Sequence, residues 1–525
     1  MKKIALIQPE SRRSSSLGIK KSPESLQVLA GQLKDDYNVR MYHAPVESAC
    51  KDIVSFKPDC VGISAMSVNF PDAKKLAKDL KKQMPGISIV LGGWHVSGAA
   101  VSFQKGVERE TMDEIFSPSS PFDYGIMGEG DLVFPELLGR LGAHSAIDNL
   151  PGLVQYRDGQ IMINSPQRVK DLHALAYPFW DGLDVGSYRD LRNGNLDLSV
   201  HFNRACRFAC GFCSTSSVYG KGVLQTSPEK AVDYIVSLLE RFKPNVITFT
   251  DEDFFANKGW VRSLVALLHG KKLHERYGVV FDTFASVNDL HYLEKFNEAA
   301  LLGKMREAGF SSFTIGIESL NPKTLLKYGK EERMILPMMT KGQRDAYGKL
   351  TGEEKEKMLV DFYQQAVQRA INLASANGIL IVGDYIVGNT GETKEEVGRG
   401  FSRFGSLQNL YLAYIPVFTP FPGTGLWGEA YNSGKLKRTA EGGIDWSNFD
   451  AGDGAMDLGY DIASFRNQLE FEFYTSERYQ KDMFSCIGRS PAMVGMFKSR
   501  FGFLLKSHEG DAKLLQILRQ LDEAS

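Results

Sequence analysis

Short apolar runs that alternate with helix-like stretches confine this chain to α/β architectures built on parallel sheets. Over residues 1–145, Ile4–Ile7, Cys60–Ser64, Ser88–Leu91 and Tyr124–Met127 read as buried strands. Ser22 and Pro23 mark a helix start, and Leu26, Leu29, Ala30 and Leu33 follow at helical spacing. Ala73, Leu76, Ala77, Leu80 and Met84 mark a second amphipathic helix. A Rossmann-like domain is expected here. Such sheets take ligands at the carboxyl ends of their strands, where Ser64, Gly92, Gly93, His95, Gly128 and Glu129 fall. The GxGxxG turn that dinucleotide binding needs after the first strand is absent.

Residues 146–195 read as a linker with a small hairpin through Asp158-Gly159. From 196 to 430 six strands separated by helices are expected: Leu198–Phe202, Val246–Thr250, Val279–Phe284, Ser312–Ile317, Leu380–Val387 and Leu412–Phe418. Six βα units suit a partial (β/α)6 barrel, since a full eight-stranded one needs two more. The long insertion Lys330–Lys357 is expected to add helices at the rim. Over 431–525 the strand signals fade, and Phe471, Phe473, Tyr474, Tyr479, Phe497 and Phe501 lie at helical spacing. A helical C-terminal domain over the barrel mouth is expected.

At 525 residues, with 43% hydrophobic and 24% charged residues and a net charge of −1, the chain has the composition of a globular protein of two or three domains. No basic excess points to nucleic acid. No stretch of about 18 apolar residues points to a membrane span, and the apolar start is too short for a signal peptide. The cytoplasm is the expected compartment.

Cys206, Cys210 and Cys213 stand in a CxxxCxxC run directly after the first barrel strand. Thiolates suit zinc and iron–sulfur clusters. Structural zinc wants four ligands, and the other cysteines, Cys50, Cys60 and Cys486, stand alone and far off. Three thiolates leave one iron of a cubane open to a small molecule.

The triplet, with aromatic Phe212 before its last cysteine, resembles the motif of the radical S-adenosylmethionine enzymes. The resemblance implies a 4Fe-4S cluster on Cys206, Cys210 and Cys213, with S-adenosylmethionine (SAM) on the open iron and its reductive cleavage to a 5′-deoxyadenosyl radical. Phe212 stands where the family packs an aromatic ring beside adenine; ordinary core packing is the alternative. Asp251, Glu252 and Asp253 follow the second barrel strand where the family has its GGE site, with acids in place of glycines, and are expected to receive the methionine ammonium. Ser286, after the third strand, is expected to reach the carboxylate or ribose. Glu318 matches a GIES-type motif near the ribose. Gly388–Thr393 resembles the GxPGET turn, and Pro420–Thr424 the P-x-PGT motif of cobalamin-linked members. Turn and capping chemistry is the plain alternative for each.

The sequence Gly62-Ile63-Ser64, Gly92-Gly93-x-His95 and Gly128-Glu129-Gly130 resembles the cobalamin-binding domain that precedes many radical modules. The alternative is a Rossmann-like domain that kept the fold and lost the cofactor. The DxHxxG motif, whose histidine ligates cobalt in many such domains, is absent; Asp171-Leu172-His173 begins like it but lies outside the domain. Several radical members also lack that histidine. His95 reads equally as a corrin contact and as a loop residue. The resemblance implies a cobalamin-dependent enzyme, class B methyltransferase-like, that methylates an unactivated carbon of a small molecule. It further implies an external one-electron donor such as flavodoxin or ferredoxin. Oxidative cyclisation or rearrangement without methyl transfer is a second reading, and a non-catalytic cobalamin or iron–sulfur sensor a third. No general acid or base stands out; Tyr385 reads as a barrel-core residue.

Overall fold

The computed structural model describes residues 2–10, 20–190, 194–489, 494–508 and 510–523. Two sheets organise it. The first comprises β1 (Lys3–Ile7), β2 (Asn38–Tyr42), β3 (Cys60–Ser64), β4 (Ser88–Gly92), β5 (Tyr124–Ile126), β6 (Leu153–Arg157) and β7 (Gln160–Ile163), in the order β2-β1-β3-β4-β5-β6-β7. Strands β1 to β5 are parallel, and the hairpin β6–β7 adds antiparallel at the edge. Asp158 and Gly159 both have positive φ, 51° and 81°, the tight-turn geometry that twists with a two-residue hairpin. This hairpin, in the stretch read as a linker, therefore extends the first sheet. Helices Glu24–Leu33 and Val133–Gly142 cover one face of the sheet, and Val46–Phe56, Phe70–Gln83 and Trp94–Gln104 the other.

The second sheet comprises β8 (Asp197–Val200), β11 (Val246–Phe249), β12 (Val280–Ala285), β13 (Phe310–Glu318), β14 (Leu380–Tyr385) and β15 (Leu412–Tyr414); a short ribbon of β9 (Asn203–Arg204) and β10 (Leu224–Gln225) flanks it. All six main strands are parallel, in the order β15-β14-β13-β12-β11-β8, and the first and last do not pair. This is the expected partial barrel. Fully buried residues alternate with less buried ones along β13 and β14. The buried set packs on the surrounding helices, and the other set faces the lumen. Register stacks the lumen into rows: Thr248–Asp282–Ser312–Leu380, then Phe284–Thr314–Val382–Leu412, then Gly316–Asp384–Tyr414. Tyr385 points outward, against Phe401 and Phe404, with its hydroxyl on the Leu320 N–H.

The C-terminal part departs from expectation in two ways. Residues 433–458 are largely irregular and return to the first unit: Trp446 packs on His95 and donates to Glu114 at 2.9 Å. The helices Ile462–Thr475 and Glu477–Arg489 cover mainly the β15 edge, and only the start of the first, at Ile462 beside Gly388, reaches the strand ends. Tyr474 receives the Ala413 N–H at 2.9 Å, Tyr479 donates to Tyr411 O at 2.6 Å, and Phe473 packs on Phe401 and Phe404. An open barrel exposes two strand edges, and these helices seal the β15 one with side-chain hydrogen bonds.

The two units dock through backbone. The turn Pro420–Thr424 lies on helix Trp94–Gln104, with the Gly423 N–H on Ser102 Oγ at 2.7 Å. A Cβ at Gly98 would lie 2.2 Å from Pro422 O, and one at Gly423 (φ 83°) would lie 2.8 Å from Gly98 Cα. Only glycine fits at either position.

Candidate active site

The loop between β9 and β10 carries the three cysteines, and carboxylates at the barrel strand ends brace it. Asp251 Oδ1 accepts the N–H groups of Phe202 at 2.8 Å and Asn203 at 2.6 Å. Asp253 takes the Arg207 N–H at 3.0 Å and its guanidinium at 2.7 and 2.8 Å. The same guanidinium donates to Asp289 at 2.7 Å. Asp289 in turn closes a capping box with Ser286 at the start of helix Val287–Lys295. On the other side Gly211 N donates to Tyr328 O at 3.0 Å, Leu426 N to Gly211 O at 2.9 Å, and Arg333 to Ala209 O at 3.1 Å. The insertion 330–357 thus contributes directly to the loop.

The thiols of Cys206, Cys210 and Cys213 are partly exposed and free of disulfides. Burial pushes the Cys210 thiol up to about 11, with Lys330 opposing the shift, and raises Cys206 further beside Asp253. Iron binding must therefore release their protons. Among the described residues no three His, Cys, Asp or Glu side chains converge on a point for a single ion. A multi-iron cluster asks each thiolate to meet a different iron. The donor set, soft, clustered in one loop and short of a fourth protein ligand, fits such a cluster.

Beside Cys210 lie Glu318 and Lys330. Glu318 ends β13 with φ 65° and pairs with Lys330 at 3.6 Å; Lys330 also donates to Gly316 O at 2.8 Å. Burial raises the Glu318 carboxyl and the Lys330 ammonium opposes it. Phe212 is half-buried against Tyr328, with ring centroids 4.7 Å apart.

A cavity of about 540 Å³ lies between the strand ends of the first sheet and the β8–β11 end of the barrel. Gly62, Ser64, Gly92, Gly93, Gly128 and Glu129 line it from the first unit; His201, Arg204, Tyr219 and Glu252 line it from the second. Gly93 (φ 96°) runs against the Ala65 backbone, where a Cβ would come within 2.7 Å. A backbone wall without side chains leaves room for a large flat ligand, and the mostly apolar lining suits a macrocycle. These residues fit cobalamin. Glu129 is tied down by Arg204 at 2.6 Å and by the Val169 N–H at 2.8 Å. His201 binds Glu252 at 2.8 Å and faces Glu24 at 3.6 Å, while Thr250 donates to Glu24 at 3.0 Å. Burial works against the imidazolium, but the two glutamates outweigh it and hold His201 well above its ordinary value.

Five strand-end expectations from the first unit reach this cavity, and His95 does not. Its ring is 1% exposed, stacked on Phe70 and edge-on to Trp446, with Nδ1 on Ser67 Oγ at 3.0 Å. Burial drops it to about 3, so it stays neutral. The neighbouring Trp94 takes the lining position. Of the residues expected on SAM, Asp251 and Asp253 also brace the loop, and Ser286 caps helix Val287–Lys295 through Asp289. Glu252 faces His201 and the cavity. Asp171 caps a turn by accepting the His173 N–H at 2.8 Å. Sequence reasoning missed Glu24, Arg204, Lys330 and the site role of His201, whose partners lie far away in the chain.

A B12 binding domain model matches residues 20–138, and a Radical SAM superfamily model matches residues 200–399. The chain is a radical SAM protein with a B12 binding domain. An uncharacterized methyltransferase of Pyrococcus horikoshii is 27% identical over 435 residues, 81% of this chain and 82% of its own length. A bacteriochlorophyllide d C-8(2)-methyltransferase of Chlorobaculum tepidum is 23% identical over 403 residues, 75% of this chain and 72% of its own. Two solved structures share the fold. TsrM from Kitasatospora setae, a radical S-adenosylmethionine methyltransferase with cobalamin and a 4Fe-4S cluster bound, aligns with a TM-score of 0.58 and 16% identity over 84% of this chain and 76% of that one. OxsB, a cobalamin-dependent S-adenosylmethionine radical enzyme, aligns with a TM-score of 0.63 and 14% identity over 100% of this chain and 75% of that one. A radical SAM enzyme with a B12 domain takes a 4Fe-4S cluster, SAM and cobalamin as cofactors. No helix among the described residues is long and apolar enough to cross a membrane.

Proposed function

We propose that this radical SAM enzyme is a cobalamin-dependent methyltransferase acting on an unactivated carbon of a small molecule. The observation that carries the reading is the placement of the cavity: one wall is the glycine-lined end of the B12-type sheet, and the other is the barrel that bears the cysteine loop. When bound, the cluster and SAM supply a hydrogen-abstracting carbon radical, and cobalamin supplies the methyl group.

The chain's own residues hold and orient these groups. Cys206, Cys210 and Cys213 hold the cluster. Asp251, and Asp253 through Arg207, fix the loop that presents the thiols. Glu318, pinned by Lys330 beside Cys210, receives the donors of SAM, and Phe212 covers its base. Ser64, Gly92, Gly93, Gly128 and Glu129 bound the cobalamin site, with Glu252 on the far wall. The row from Phe284 to Leu412 floors the lumen below, where a substrate is screened from water. An external flavodoxin or ferredoxin supplies the electron, and the cytoplasm suits both partners. Residues 1–145 with the β6–β7 hairpin, 196–430 and the helices after 461 form the three working parts.

Anaerobic reconstitution with iron, sulfide and hydroxocobalamin tests the reading. One cluster and one tightly held cobalamin per chain, with 5′-deoxyadenosine released on reduction in the presence of SAM, is the expected result. Cys210→Ala should abolish that release. A cluster without cobalamin would overturn the methyl-transfer chemistry. A relative named anaerobic magnesium-protoporphyrin IX monomethyl ester cyclase, from Rubrivivax gelatinosus, is 25% identical over 390 residues. A product of unchanged carbon count would therefore move the assignment to cyclisation.

A further inference from the structure

We propose that the barrel lumen receives a substrate with a basic amine on an apolar body, and that Asp384 is the residue that binds the amine. This deepens the enzyme reading above and rests on it.

Asp384 stands in the uppermost row of the lumen, paired in register with Gly316 on one side and Tyr414 on the other. Its Oδ1 is sealed from bulk water and has no hydrogen-bond partner. A buried polar oxygen left unmade costs about 1–3 kcal/mol, so such an atom is normally satisfied. The chain does not satisfy this one, and a ligand can.

The surroundings define the ligand's charge. Glu318 and Lys330 face Asp384 from the cluster side, and Tyr414 from β15. Arg466, Asp450 and Asp453 lie beyond Tyr414. Lys330 is committed to Glu318 and the Gly316 carbonyl. Arg466 feels the charge of both aspartates, and its Nε is buried without a partner. The acids of this neighbourhood outnumber its two cations. Burial first, and the charge of Glu318 second, raise the Asp384 carboxyl well above its ordinary value, with Lys330 opposing. An incoming ammonium removes both penalties by pairing with the ionised carboxylate; an incoming carboxylate meets repulsion. The proton moves from Asp384 to the amine as the pair forms, or to solvent if the amine arrives charged.

The apolar body follows from two uncovered rings. Tyr414, in the same row, is 49% exposed, and Phe284, one row below, is 42% exposed. Aromatic faces beside a cation site add attraction of their own.

The test uses the reconstituted holoenzyme under anaerobic conditions, with phenethylamine, hydrocinnamate and phenethyl alcohol as probes. Saturation-transfer NMR reads their affinities, infrared difference spectroscopy reads the protonated-carboxyl band, and equilibrium dialysis reads SAM binding. Phenethylamine should bind at least about tenfold more tightly than the other two and remove the infrared band. Asp384→Asn should lose both effects while keeping cluster content and SAM affinity; Asp384→Glu should keep the amine preference. Binding of none of the probes, equal binding of hydrocinnamate, or an amine preference that survives in Asp384→Asn overturns the inference. Loss of SAM affinity in Asp384→Asn also overturns it, by moving Asp384 to the SAM site. Absence of cluster or of SAM binding in the unmodified enzyme would instead refute the enzyme reading.

Discussion

Replacing Asp251 by asparagine should change how the apoprotein's stability depends on pH. Asp251 is 2% exposed; its Oδ1 takes two backbone N–H groups, and its Oδ2 is sealed without a partner. Burial raises its pKa from 3.8 to about 7, against the opposing pull of His201 and the two N–H groups. Between those values the folded chain holds a proton that the unfolded chain has released, so stability falls as pH rises through this window. At about 1.4 kcal/mol per unit, the penalty grows to about 4 kcal/mol above pH 7, of which roughly 3 kcal/mol accrues between pH 5 and pH 8. Asparagine keeps the Oδ1 acceptor and the shape but does not titrate. Its amide group, standing where Oδ2 lacks a partner, costs about 1–3 kcal/mol at every pH. Relative to the unmodified apoprotein, Asp251→Asn should therefore gain roughly 3 kcal/mol on going from pH 5 to pH 8. Urea unfolding followed by circular dichroism at the two pH values reads the difference directly. Parallel profiles would refute the reasoning, because they would mean that Asp251 is ionised in the fold and that His201 governs it.

Three further outcomes follow from the packing. Gly98→Ala raises helix propensity by up to about 1 kcal/mol, yet the clash with Pro422 should leave a net loss of about 1–2 kcal/mol; calorimetry showing an unchanged or higher Tm would disprove the backbone docking. Ser286→Ala should cost about 1 kcal/mol through the lost cap and leave SAM affinity in equilibrium dialysis unchanged; a tenfold weaker affinity would establish Ser286 as a SAM contact. Arg207→Gln leaves Asp253 and Asp289 without their cation, a loss of about 2 kcal/mol once the exposure of the guanidinium is discounted. Iron content per chain should fall in that variant while cobalamin content holds, and equal loss of both would show a global defect.

Local signals carried much of the architecture. The six barrel strands were legible because each is a short apolar run between helices, and the cysteine loop because its ligands lie within eight residues of one another. Strand β2 was not, because Asn38–Tyr42 is an edge strand of mixed polarity with little to bury. The segment 433–458 has no period to read; Trp446 against His95 and Glu114, and Arg438 on Glu110, tie it to the first unit. Side-chain roles were least legible where the partner is distant. Asp251 and Glu252 are neighbours in sequence, yet one braces a backbone and the other faces an imidazole. His95 follows two glycines as a ligand contact would, but the ring of Trp446, far along the chain, covers it. The pairing of Glu24 with Thr250 spans 226 positions, which no local pattern announces.

That pairing has a consequence for how the enzyme is made. Because the cavity is walled by both units and Glu24 bridges them, the chamber is complete only when the first unit and the barrel have both formed. A bulky macrocycle present while they dock can be built into the site, whereas one that comes later has to enter between docked units. Protein produced in cells short of cobalamin should fold around an empty chamber and load slowly afterwards, whereas supply of the vitamin during synthesis should yield filled enzyme that keeps its cofactor through purification.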